Sequence, residues 1–203
     1  MTKKRSRKTD RGYSQRKVGT RELRQSFLIV CEGTKTEPNY FRSFRLNRRV
    51  VEVKIKGLGK STTRLVEEAL KYREEDDYDQ VWCVFDRDDF EPQPFNEAIR
   101  LAEKEKMKVA YSNEAFEIWY LLHFHFYNSP MSRKAYQKKL SDCLGFEYTK
   151  NSDRIYEVLE SRQADAIKNA DRLLDSYVPV DPAYNNPSTT VYLLVRELNR
   201  FVR

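Results

Sequence analysis

Two short, wholly apolar runs, each followed at once by acid, constrain this chain more than any other feature. Ser26-Phe-Leu-Ile-Val-Cys31 leads into Glu32-Gly33, and Gln80-Val-Trp-Cys-Val-Phe85 leads into Asp86-Arg-Asp-Asp89. Runs of this length without polar alternation suit strands buried on both faces of a parallel sheet. The intervening sequence supplies crossovers. A helix is predicted over 36–48, with Thr36 as N-cap and Pro38 in the first turn, where its missing N–H has no helical partner. Val50 to Lys56 alternates as a strand, Gly57-Leu-Gly59 breaks it, and 61–75 carries Leu65, Val66, Ala69 and Leu70 on one helical stripe. A helix over 95–106 and a strand over 108–112 complete an α/β pattern, which predicts a mostly parallel sheet flanked by helices with right-handed crossovers.

Beyond Glu114 the pattern is helical, with segments expected at 114–126, 132–141, 152–177 and 188–201. Pro130 and the stretch Pro179 to Pro187 punctuate them. The expected organisation is a basic tail over 1–25, an α/β core over 26–113, and a helical extension over 114–203 packed on that core. A chain of 203 residues, 39% of them hydrophobic, is enough for one sizeable core.

The formal charge of +7 raises the question of nucleic acid, and its placement matters more than its size. Residues 1–25 hold ten Lys/Arg, among them Lys3, Lys4, Arg5, Arg7 and Lys8, against Asp10 and Glu22. The remainder carries 28 basic and 29 acidic residues and is nearly neutral. The tail reads either as a phosphate-attracting arm or as a disordered, solubilising segment. It lacks the apolar stretch of a secretory signal, and no run is long enough to cross a bilayer, so a cytoplasmic protein is expected. Three cysteines and two histidines indicate neither a disulfide framework nor a zinc site.

In open parallel sheets, ligands collect beyond the carboxyl ends of the strands. Glu32 terminates one buried strand, and Asp86 and Asp88 terminate another. Carboxylates gathered there repel one another unless a cation neutralises them, and hard oxygen donors with few histidines suit Mg²⁺ or Mn²⁺. Set against this is the plain reading of Asp-x-Asp as a helix cap or a solvated turn. Gly57-Leu-Gly-Lys-Ser-Thr62 ends like a phosphate-binding loop, but the full spacing needs glycine at position 54, where Lys54 stands. ATP binding there is not expected. Lys60, ahead of a helix, remains a candidate contact for a nucleic-acid phosphate.

The Glu-Gly after one strand and Asp-x-Asp after a later one resemble the Toprim signature of topoisomerases, bacterial primases and OLD-type nucleases. Four ordered motifs make the likeness more specific: Cys31-Glu-Gly-Thr-Lys-Thr-Glu-Pro-Asn-Tyr-Phe41, Val84-Phe-Asp-Arg-Asp-Asp89, Ser112-Asn-Glu-Ala-Phe-Glu-Ile-Trp-Tyr-Leu-Leu-His-Phe124 and Asn186-Pro-Ser-Thr189. Together, over about 26–201, they resemble the RloB family. That resemblance implies a Toprim-like α/β fold and a metal-dependent nuclease of bacterial abortive-infection defence against phage, working with a co-encoded AAA/ABC-type ATPase. Glu32, Asp86 and Asp88 are its implied catalytic and metal-holding set, with tRNA or another RNA, or DNA, as substrate. The rival reading is a non-catalytic nucleic-acid-binding or effector subunit of an ATPase complex.

Glu117 lies in Ala-Phe-Glu-Ile-Trp-Tyr-Leu-Leu, where an unpaired charge would cost several kcal/mol. It is read as a ligand of a second metal or a group orienting the first, or alternatively as half of a buried ion pair. Helical spacing would place Asn113 and Leu121 on its face. His123 is read as an interior packing residue rather than a base, Glu37 as a first-turn acid that can face the site, and Lys168 as a solvated lysine rather than one steadying developing phosphate charge. Ser188 or Thr189 is read as the cap of the last helix.

Overall fold

A computed structural model describes residues 24–59, 62–88, 91–150, 152 and 154–203. Strands β1 (Gln25–Cys31), β2 (Val51–Gly57), β3 (Gln80–Asp86), β4 (Lys108–Asn113) and β5 (Ser188–Thr189) form one sheet in the order β2-β1-β3-β4-β5. The first four are parallel, and β5 returns antiparallel to β4. Among the described residues, eight α-helices accompany them: α1 (Thr36–Arg42), α2 (Thr62–Glu74), α3 (Pro92–Lys104), α4 (Glu117–Leu121), α5 (Arg133–Leu144), α6 (Ile155–Leu159), α7 (Gln163–Asp175) and α8 (Val191–Asn199). The fold is α/β, with helices on both faces of a mostly parallel sheet. No helix among the described residues is long and apolar enough to cross a membrane.

The strand period of two separates two cores. Phe27, Ile29 and Cys31 of β1, with Trp82 and Val84 of β3, pack among α1 and the helices that follow β4. Leu28 and Val30, with Val81, Cys83 and Phe85, face α2 and α3 instead, against Leu65, Val66, Ala69, Phe95 and Ala98. Cys31, Cys83 and Cys143 are free thiols.

Several helices differ from their sequence-based bounds. The helix expected over 36–48 stops at Arg42, because Leu46 forms an antiparallel bridge with Val202. Thr36 does not cap it: Lys35 occupies the cap position, and the Thr36 hydroxyl donates to the Lys150 carbonyl at 3.1 Å. The segment expected over 114–126 holds only the five-residue α4, and Asn113 belongs to β4 rather than to its face. Residues 152–177 divide into α6, a 3-10 turn (Glu160–Arg162) and α7. This division lets Tyr156 pack on Tyr40 and Phe44 while Gln163 lies between Tyr40 and Asn199.

The last motif, expected to start a helix, instead adds a strand. Thr189 in β5 donates to the Tyr111 carbonyl at 2.9 Å and accepts the Val191 N–H at 3.2 Å, so it joins sheet to helix, while α8 begins after Thr190. Asn186 accepts from the Tyr136 hydroxyl and donates to Glu114, tying α5 to the end of β4.

Leu28→Ala and Ile29→Ala test the two-sided core, because neighbouring residues of β1 fill opposite clusters and both are fully buried. Each is expected to lower unfolding free energy by about 2–5 kcal/mol. Urea denaturation measures both, and a near-neutral result at either position would contradict burial of the sheet on two faces.

Candidate active site

Glu32, Asp86 and Asp88 meet because β1 and β3 are adjacent and in register, with Cys31 opposite Val84. The Glu32 N–H donates to the Val84 carbonyl at 2.8 Å, and the Asp86 N–H donates back to Glu32 Oε2 at 3.2 Å. Alternation along β3 turns Asp86 toward α4 and α5. There its Oδ2 accepts the Phe116 N–H at 3.1 Å, just ahead of α4. Glu32 instead reaches the side of α2, where the Thr62 hydroxyl stands 3.5 Å from Oε1. Asp88, at φ 45°, is in the left-handed region, which a short polar side chain tolerates better than most. Its N–H donates to the Glu114 carbonyl at 3.0 Å.

A cleft of about 460 Å³ opens over these residues, also lined by Lys35, Glu37, Phe116, Glu117, Arg133 and Lys150. Glu37 and Glu117 are both buried. Glu117 opens α4 and faces the Tyr148 hydroxyl at 3.5 Å; among the described residues it forms no ion pair. The cleft therefore gathers five carboxylates. A Cβ on Gly33 would run into the Glu37 carboxylate, and a Cβ on Gly57 would lie 2.7 Å from the Gly33 carbonyl. The glycines that looked like part of a phosphate loop thus let β2's end pack against the Glu32-Gly33 turn, where the Gly59 N–H donates to the Glu32 carbonyl at 2.7 Å.

Burial and mutual repulsion raise three of these carboxyls, Glu32, Asp86 and Glu37. Burial, followed by the charge of Glu37, pushes Glu32 up to about 7, with the Asp86 N–H and Thr62 hydroxyl opposing. Asp86 is raised well above the usual carboxylate range by burial and then by Glu37 and Glu117. Glu37 is raised by burial and by Glu117. Such a set favours protons or a cation in its midst.

The donors fit a hard divalent ion in kind: all are carboxylate oxygens, and among the described residues Asp86 Oδ1 is buried without a hydrogen-bond partner. Their present arrangement is governed by another cation. Arg133 Nη2 pairs with Asp86 Oδ2 at 3.4 Å and with Asp88 Oδ1. In this conformation no group of three or more His, Cys, Asp or Glu side chains among the described residues is set to hold a metal.

Arg133 and Lys150 were not singled out in the sequence. Arg133 lies 47 residues beyond Asp86, in a helix whose own pattern marks only an amphipathic segment. Lys60 and the tail residues Lys3, Lys4, Arg5, Arg7 and Lys8 lie outside the described residues. Lys168 is exposed on α7. His123 is buried away from the cleft, its Nδ1 is 2.9 Å from the Trp119 carbonyl, and burial lowers it to about 4, so it packs as a neutral imidazole.

The family model for RloB-like proteins matches residues 27–198, most of the chain. No curated protein and no solved structure matches.

The raised Glu32 carboxyl has a sign that can be checked. Its folded value of about 7 exceeds its usual 4.5, so the folded state holds the proton longer than the unfolded one. Its contribution is complete below about pH 4.5 and is lost as pH rises through 7. In chelator, wild-type stability is expected to fall across that window, and Glu32→Gln to show a shallower fall. Urea titrations at pH 5 and 7.5 read this difference, and identical slopes would contradict the half-buried placement of Glu32 beside Glu37.

Proposed function

Because the chain belongs to the RloB-like protein family, we propose that it is a divalent-metal-dependent nuclease hydrolysing phosphodiester bonds of RNA or DNA, with tRNA among the candidate substrates. The observation that carries this reading is the gathering of Glu32, Asp86 and Asp88, with Glu37 and Glu117, in one cleft at the carboxyl ends of β1 and β3. A site of this composition concentrates negative charge at a cost in stability that a purely structural turn has no use for.

In this reading Asp86 and Asp88 hold Mg²⁺ or Mn²⁺, with Glu117 and Glu32 available to complete the set. The ion, when bound, supplies Lewis-acid polarisation of a phosphoryl oxygen. Glu32, poised near neutrality by burial, is suited to take a proton from the attacking water or to return one to the leaving oxygen. Lys35 and Lys150 on the cleft wall offer cations to flanking phosphates. A role in phage defence beside a co-encoded ATPase, in the cytoplasm, is part of the same proposal. The basic tail would add salt-sensitive attraction to nucleic acid.

The second reading, a non-catalytic subunit whose acids serve docking or structure, draws on Arg133 pairing with the two aspartates. The two readings separate in one experiment. Total RNA and plasmid DNA are incubated with wild type, Glu32→Ala and Asp86→Ala, in Mg²⁺, Mn²⁺ or chelator, each with and without the ATPase. The nuclease reading expects metal-dependent cleavage that falls by roughly 10²-fold or more in both variants. Wild-type cleavage retained by both folded variants, or none from the wild-type complex, would sink it in favour of the docking role.

A further inference from the structure

Arg133 is paired in a manner unlike a structural ion pair. An arginine kept for structure usually presents two parallel N–H groups to one carboxylate and satisfies its remaining donors. Here one terminal nitrogen, Nη2, serves two different acids, Asp86 and Asp88. Among the described residues, the same side chain's Nε is buried without an acceptor, and Asp86 Oδ1 is buried without a donor. A single positive point placed between two carboxylates, with polar atoms on both sides left unsatisfied, is the arrangement of a counter-ion.

Its position allows it to leave. Arg133 is the first residue of α5, it follows the irregular segment 122–132, and its side chain is 34% exposed at the cleft, whereas that of Asp86 is only 10% exposed. Among the described residues, the cleft is lined by five acids (Glu32, Glu37, Asp86, Asp88, Glu117) and three bases (Lys35, Arg133, Lys150). Fully ionised, it carries two negative charges in excess with Arg133 in place and three once the guanidinium withdraws, so a departing arginine leaves a site that attracts a divalent cation more strongly.

We propose that Arg133 is an internal counter-cation holding the Asp86–Asp88 pair in the metal-free protein, and that a divalent ion must displace it to bind. The inference rests on the metal-dependent reading above and adds a residue that sets the site's metal affinity. It also accounts for the absence, among the described residues, of a ready metal cage: the aspartates are drawn to the guanidinium rather than to a common point.

The test is Mn²⁺ affinity of the full-length chain, measured by calorimetry or by the spectroscopic signal of free Mn²⁺, without reference to cleavage. Arg133→Gln is compared with Lys150→Gln, which removes a charge from the same cleft but not one paired with Asp86 or Asp88. If the arginine-engaged state holds about nine molecules in ten, its removal tightens apparent Mn²⁺ affinity about tenfold. Lys150→Gln is expected to change it far less, and Arg133→Lys, which keeps a cation and guards against a folding defect, to fall between wild type and Arg133→Gln. Equal or weaker binding by Arg133→Gln, or equal tightening by Lys150→Gln, would overturn the displacement while leaving a metal-binding nuclease intact. Absence of Mn²⁺ binding in wild type and all variants would overturn the metal-dependent reading and this inference together.

Discussion

The parallel pairing of β1 with β3 is the constraint on which the rest of the structure depends. Both strands are buried on two faces, so their register is fixed by packing rather than by solvent, and a slip of one residue would exchange the contents of the two cores. That register brings the Glu32 carboxylate to the Asp86 amide. The same pairing that stabilises the sheet therefore forces acids together at its carboxyl edge, and the surrounding elements are arranged around that electrostatic cost.

The helical half of the chain supplies the means. Asp86 accepts the amide of Phe116, which fixes where α4 begins, and α4 then sets the buried Glu117 on the cleft wall. Tyr40 of α1 lies among Phe41, Phe44, Phe116, Tyr120 and Tyr156, an aromatic cluster that packs the first helix after β1 against elements more than seventy residues later. Rings meeting largely edge to face in this way hold the wall of the cleft rigidly. The Asn186-Pro-Ser-Thr189 segment closes the arrangement from the far side, adding β5 to the sheet and anchoring α5, the helix that carries Arg133. The cation on the aspartates is thus delivered by the element that the last motif steadies.

Local patterns revealed much of this. Apolar runs marked β1 and β3, alternation marked β2, and amphipathic stripes marked α2 and α3 within a few residues of their observed bounds. Sequence patterns are least informative where every side of an element is buried. Around α4 the sequence is apolar apart from Glu117, so periodicity could not show that the helix lasts only five residues. β5 escaped because two residues are too short to leave a pattern, and their pairing with Ser112 and Asn113 is a long-range event. Arg133 escaped for the same reason.

The sequence by itself determined the α/β class, the strands that end in acid, and hence Glu32, Asp86 and Asp88 as one candidate site, because strand period and hydrophobic burial act over a few residues. Only the tertiary structure decided that Glu37 and Glu117 share the cleft, that Gly57 serves the packing of one turn on another, and that an arginine from α5 rests on the two aspartates. Those outcomes depend on electrostatic and steric fit between segments distant along the chain, and such fit exists only once the sheet has set their positions.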